Sequence, residues 1–116
     1  MSLDYVEVNL DRHRKLKLGF KELRDLENRM GGIAFGDILA KLSSLSINTI
    51  LQTLHVGFKG DDPRLTLSKL EDILDDYLNN GGSVGDLLSP ITEALDISGV
   101  TGTRSKDEPE RPTIEP

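Results

Sequence analysis

The spacing of the apolar residues changes once along the chain, near residue 20, and this change constrains the fold most strongly. Before it, apolar residues recur at every second position in two runs, Val6, Val8 and Leu10 and then Leu16, Leu18 and Phe20. Period two is typical of half-buried strands, and the polar link at 11–13 predicts an antiparallel hairpin. After it, apolar residues recur every three or four positions, as in amphipathic helices. The expected fold is α+β, mainly α: an N-terminal β-hairpin followed by four to five short amphipathic helices.

Start and stop signals divide the helical part of the chain. Glycine pairs at 31–32 and 81–82 predict helix ends, because glycine adopts the left-handed cap conformation without a Cβ penalty. A short helix is predicted over 37–42. The predicted N-caps are Ser46, either Thr66 or Ser68, and Ser83. Pro90 predicts either a kink in the last helix or a restart with Ser89 as its cap.

The apolar residues are sufficient for one core. The chain has 116 residues, among them 19 Leu and 8 Ile, which suits one compact domain, predicted over 1–98. The core-facing stripes are predicted at Phe20, Leu23, Leu26 and Met30 in one helix and at Ile47, Ile50, Leu51, Leu54 and Phe58 in another. Residues 99–116 carry three prolines and two sizeable apolar side chains, which predicts a flexible C-terminal tail.

The charged residues are unevenly distributed. The formal net charge is −6, which argues against a nucleic-acid partner. Residues 12–29 have seven basic and three acidic side chains, and residues 61–80 have six acidic and two basic ones. Such polarity can orient subunits or partners, or it can reflect two differently solvated faces. The sequence leaves both interpretations open.

Residue types suited to catalysis or metal binding are scarce. The chain has no Cys and two His, so it has neither a thiolate nucleophile nor a Cys-based zinc site. His13 is predicted in the hairpin turn and His55 at the edge of a buried stripe. The acidic residues Asp61, Asp62, Asp72, Asp75 and Asp76 lack calcium-loop spacing. We therefore expect no catalytic residue, cofactor or metal, and a protein that is not an enzyme.

Two kinds of binding remain to be weighed. The helices around residues 43–46 can be interpreted as a helix-turn-helix, with Asn48, Thr49, Gln52 and Thr53 exposed to read base edges. That segment has no Arg or Lys within 46–58, so a small DNA-binding regulator is the less favoured hypothesis.

Protein binding is the favoured alternative. Tyr5 alternates onto the outer face of the hairpin, where it is either exposed to a partner or packed across the strand on Lys17 or its neighbours. The candidate partner-binding residues are Tyr5, Glu7, Phe35 and Phe58. No apolar run approaches the ~20 residues of a membrane helix, and no signal segment is seen at the N-terminus, so no membrane partner is expected.

The order of these segments resembles one known family. Tyr5-Val6-Glu7-Val8 opens a hairpin, and residues 18–27 then lead to Met30-Gly31. Further along, Leu54-His55-Val56-Gly57-Phe58 precedes a loop, and residues 65–78 precede Gly81-Gly82. Over residues 4–98 this order resembles the tail assembly chaperones of long-tailed bacteriophages and prophages of Gram-positive bacteria. The resemblance rests on the pattern of hairpin and helices rather than on a catalytic signature.

The resemblance implies a non-enzymatic role in viral tail morphogenesis. Family members bind the tape measure protein, help to recruit tail tube subunits, act in the host bacterial cytoplasm and are absent from the mature virion. Self-association is also expected, since several copies on one extended partner gain avidity. A frameshifted, extended form exists in many such systems, and residues 99–116 would suit the junction. The alternative is a structural virion component, such as a head–tail connector or a tail completion protein.

Overall fold

The computed structural model describes residues 4–100 of the chain. It contains one two-stranded antiparallel sheet followed by five helices, so the predicted α+β, mainly α fold is confirmed. The elements are β1 (Val6–Asn9), β2 (His13–Leu16), α1 (Phe20–Arg29), α2 (Phe35–Ser43), α3 (Ile47–Phe58), α4 (Leu67–Asn79) and α5 (Val84–Ile97). Within residues 4–100, no helix has both the length and the apolar character that crossing a membrane requires.

The hairpin packs one face against the helices. Val6 lies opposite Leu16 and Val8 opposite Arg14, so these four side chains share the inner face, which contacts α3 and α5. Phe20 is predicted both on this buried face and in the core-facing stripe of the next helix, and both predictions are wrong. The strand period ends where α1 begins, at Phe20, and the buried residues of α1 are Leu23 and Leu26. The Phe20 side chain is 81% exposed.

Helix α3 is the central element of the fold. It contacts α1, α2, α4, α5 and β2, and its residues from Thr53 to Phe58 are all buried. Its buried hydroxyl groups are satisfied locally: the Thr53 hydroxyl donates to the Thr49 carbonyl at 2.7 Å, and the Thr49 hydroxyl donates to Ser46 Oγ at 2.8 Å. These hydrogen bonds therefore offset the desolvation penalty of burying the two hydroxyl groups.

The hairpin reaches the backbone of α3 at Gly57. The Lys17 N–H donates to the Gly57 carbonyl at 3.0 Å. A Cβ at position 57 would overlap the Leu16 side chain and would lie 3.0 Å from Leu18 Cδ2, and both leucines are fully buried. Glycine at this position therefore lets the chain after β2 approach the helix closely.

The predicted helix ends are confirmed where a local hydrogen bond defines them. Ser46 accepts from the Thr49 N–H at 3.3 Å, and Ser83 accepts from the Asp86 N–H at 3.1 Å. Thr66, rather than Ser68, caps α4 by accepting from the Lys69 N–H at 3.1 Å. Glycines 31 and 32, which follow α1, both have positive φ, at 84° and 85°.

Two other details differ from expectation. Helix α2 begins at Phe35, two residues before the predicted start. Helix α5 continues through Pro90 as one helix, which excludes the restart capped by Ser89 and leaves the alternative, a kink at Pro90, as a prediction. The core also extends two residues beyond the predicted domain end at 98, since Val100 packs against it half-buried. The predicted flexible tail otherwise lies outside the described residues.

Candidate partner-binding surfaces

Phe58 is the predicted contact residue that the structure removes from the surface. It is the last residue of α3, and its side chain is completely buried. An aromatic side chain at 0% exposure stabilises the core and is not available to a partner in this fold. This corrects the expectation that Phe58 contacts a partner.

The predicted contacts on the hairpin lie on its outer face. The Lys15 ammonium nitrogen lies 5.0 Å from the centroid of the Tyr5 ring, a cation–π contact, and Tyr5 is half-buried. Tyr5 therefore packs on a neighbour of Lys17, as one of the two alternatives proposed. Glu7 is exposed and lies opposite Lys15 in the strand register. Partner binding by Tyr5 and Glu7 stays a prediction.

Phe35 lies in an open groove together with the exposed Phe20. This groove has a volume of about 420 Å³. We call it the aromatic groove, and its lining residues are Phe20, Leu23, Arg24, Glu27, Phe35 and Val100. Its two charged side chains have opposite signs, so the groove offers apolar surface without a clear preference for the charge of a partner.

A second groove lies between α3, α4 and α5. Its volume is about 320 Å³. We call it the acidic groove; its apolar lining is Ile47, Ile50, Leu51, Leu74, Leu78, Val84 and Leu87, and its charged lining is Glu71, Asp72 and Asp75. Ile47 and Leu78 are 64% and 40% exposed. The prediction that Ile47 faces the core is therefore wrong, since it borders this groove instead.

Part of the uneven charge distribution is neutralised inside the molecule. The Arg14 side chain is almost completely buried and binds Asp11 through two hydrogen bonds, at 2.8 and 2.9 Å, and Asp62 through one at 3.2 Å. Arg12 adds longer ion pairs to Asp61 at 3.6 Å and Asp62 at 3.5 Å. The hairpin is thereby joined to the loop between α3 and α4.

These contacts shift the titration of all three groups. Hydrogen bonds from Arg14 lower the pKa of Asp11 and of Asp62 below the ordinary 3.8. The hydrogen bond to Asp11 is the main cause that raises the pKa of Arg14. The charged form of each group is thus stabilised in the fold. The inward position of Arg14, in alternation with Leu16 and Leu18, is the sequence signal that could have revealed this cluster.

The two histidines have structural surroundings. His13 is exposed in β2, whereas His55 is buried, with Nε2 2.7 Å from the Leu65 carbonyl oxygen and Nδ1 2.7 Å from Arg29 Nη1. Because arginine only donates, Nδ1 accepts and the Nε2–H donates to Leu65. His55 therefore joins α1 to the segment before α4. Residues 4–100 contain no group of three His, Asp or Glu arranged to hold a metal ion.

The helix-turn-helix interpretation does not fit the position of α3. Thr49 and Thr53, expected to be exposed for base contacts, are 0% and 1% exposed. A recognition helix must present one face along its length to the major groove, but α3 is buried from Thr53 to Phe58. Comparison of the chain with family models, curated proteins and solved structures gives no match. The two grooves are therefore the candidate functional surfaces on geometric grounds.

Proposed function

We propose that this chain is a non-enzymatic tail assembly chaperone of a long-tailed phage or prophage. In this role it binds the tape measure protein and helps to recruit tail tube subunits. It acts in the host bacterial cytoplasm and is absent from the mature virion. The observation that carries the proposal is the pair of open apolar grooves, bordered by Phe20 at 81% exposure and Ile47 at 64%.

Physical chemistry supports this role for such a surface. Exposed apolar patches on a small domain are typical of sites that cover apolar surface on a partner. A net charge of −6 favours solubility of the complex while the grooves are occupied. The hairpin-then-helices order also agrees with the pattern on which the family resemblance rests. Several copies bound along one extended partner would gain avidity, with or without contacts between them.

Co-expression tests the proposal directly. A tape measure protein from the same phage or prophage is expressed alone and with this chain, and its soluble fraction is measured. We expect the chain to raise that fraction and to co-purify with the tape measure protein. A double variant that places charge in both grooves, Phe20→Asp with Ile47→Asp, should lose most of this effect, whereas the exposed neighbour variant Asn48→Asp should retain it. An unchanged soluble fraction with the wild-type chain would contradict the proposal.

The alternative of a structural virion component is decided by the particle itself. Purified particles are analysed by mass spectrometry for peptides of this chain. A chaperone is expected in the lysate and absent from the particles. Stoichiometric recovery from the particles would favour a head–tail connector or a tail completion protein.

A further inference from the structure

We propose that the acidic groove binds an amphipathic helix whose apolar stripe is flanked by Lys or Arg. This inference rests on the proposed function, because it assigns one groove to the partner and states the chemistry of the partner segment. The groove joins an apolar floor to a rim of Glu71, Asp72 and Asp75, all three exposed.

The rim of the acidic groove carries one sign of charge. The three rim carboxylates form no ion pair with a basic side chain of residues 4–100. Within α4, Glu71 and Asp75 are spaced i,i+4, and so are Asp72 and Asp76, and like charges at this spacing destabilise a helix. A cationic partner would offset this repulsion. The groove therefore selects a basic rim on its partner.

The backbone around the groove favours a helix as the bound segment. The groove lies between helices, whose backbone groups are paired along their own axes, and none of its lining residues within 4–100 belongs to a strand. An extended peptide would leave its own N–H and C=O groups unpaired against the apolar floor. A helix satisfies its backbone internally and inserts side chains at i, i+3 or i+4, and i+7 into such a groove.

A second copy of this chain fits the groove less well. Helix α1 has the most basic side chains of the described helices, three against three acidic ones, and would have to supply the stripe, but its Leu23 and Leu26 are 8% and 1% exposed. Phe20 is the one exposed apolar residue of α1, so α1 of a neighbouring copy offers a single apolar side chain rather than a row. The structure therefore points to a helix from a different protein.

Peptide binding tests the assignment. Two peptides of about 18 residues, five helical turns, share a leucine stripe at i, i+3 or i+4, and i+7, and differ in having Lys or Glu beside it. Binding to the full chain is measured by fluorescence anisotropy at ~50 mM salt, where screening is weak. We expect the Lys-flanked peptide to bind about tenfold more tightly, because several exposed ion pairs each contribute a small factor. Equal binding of the two peptides would overturn the proposal.

Variants of the protein locate the site. Asp72→Lys combined with Asp75→Lys should reverse the preference, so that the Glu-flanked peptide binds more tightly. Ile47→Asp should weaken both peptides, whereas Asn48→Asp, with the same added charge, should not. Circular dichroism shows whether each variant is folded. If the charge-reversed variant is folded and its peptide preference is unchanged, the proposal is overturned. Light scattering provides a second test. If the wild type forms oligomers and Ile47→Asp abolishes them, a second copy occupies the groove and the proposal is overturned.

The peptide and co-expression experiments distinguish a failure of the groove assignment from a failure of the proposed function. If the Lys-flanked peptide binds as expected but the tape measure protein stays insoluble, the groove assignment stands and the proposed function fails. If the tape measure protein is solubilised equally by the wild type and by the folded charge-reversed variant, the proposed function stands and the groove assignment fails.

Discussion

Replacing Gly57 by alanine sets helix propensity against packing. Gly57 lies inside α3, where glycine is about 1 kcal/mol less favourable than alanine, so propensity alone predicts stabilisation. The structure predicts the opposite sign. The new Cβ would overlap the fully buried Leu16 side chain and would lie 3.3 Å from the Lys17 carbonyl oxygen, a backbone atom that cannot rotate away.

The packing contribution is the larger of the two. Forcing extra carbon into a well-packed core costs about 1–3 kcal/mol. Here the chain after β2 must also move, which weakens the 3.0 Å hydrogen bond from the Lys17 N–H to the Gly57 carbonyl, worth about 1 kcal/mol. After the gain of about 1 kcal/mol from propensity, we expect a net loss of roughly 1–3 kcal/mol.

Thermal and urea denaturation followed by circular dichroism measure this loss. For a domain of this size, 1 kcal/mol corresponds to a change in Tm of about 4–8 °C. Gly36→Ala is the matched control, because Gly36 lies in α2 with no atom within 4 Å of a new Cβ, and it should gain up to about 1 kcal/mol. If Gly57→Ala is as stable as the wild type or more stable, the close contact between the hairpin and α3 is refuted.

Three further predictions concern stability. Leu45 has φ +62° in the turn after α2, so Leu45→Gly should raise the free energy of unfolding by about 0.5–1 kcal/mol in urea titrations, and a loss would contradict the strain argument. Because Arg14 lowers the pKa of Asp11 and of Asp62, their contribution is complete above pH 3.8 and is lost as pH falls through the lowered values. In the Arg14→Met variant, the free energy of unfolding should therefore depend less on pH in the acid range. An unchanged pH dependence would refute this linkage. Truncation after Ser98 removes half-buried Val100 and should lower stability by about 1 kcal/mol or less in thermal scans; a larger loss would show a structural role for the removed segment.

Features that depend on neighbours in sequence were predictable. The caps of Ser46 and Ser83 follow from a hydroxyl placed three residues before a free backbone N–H, a relation confined to one turn. The start of α4 stayed open because Thr66 and Ser68 both satisfy that rule. Thr66 is the cap in the structure, and Leu67 thereby enters the helix half-buried.

Burial at the ends of a helical stripe was not predictable in the same way. Ile47 and Phe58 belong to one apolar stripe of α3, yet they are 64% and 0% exposed. The hairpin closes over the C-terminal end of α3 at Gly57, whereas the first turn borders the acidic groove. Periodicity identifies a face of a helix, but only the tertiary neighbours decide how far along that face the cover extends.

The distribution of charge links the fold to the choice of groove. The sequence shows a basic and an acidic segment, but Arg12 and Arg14 are already paired with Asp61 and Asp62 and are therefore not free to recruit a partner. What remains on the acidic segment is the rim of the acidic groove on α4, whereas the aromatic groove has one charge of each sign. The two grooves consequently differ in selectivity: the aromatic groove can accept apolar surface of any charge, and the acidic groove discriminates against an acidic partner. Under the proposed function, selectivity for the partner is therefore assigned to α4.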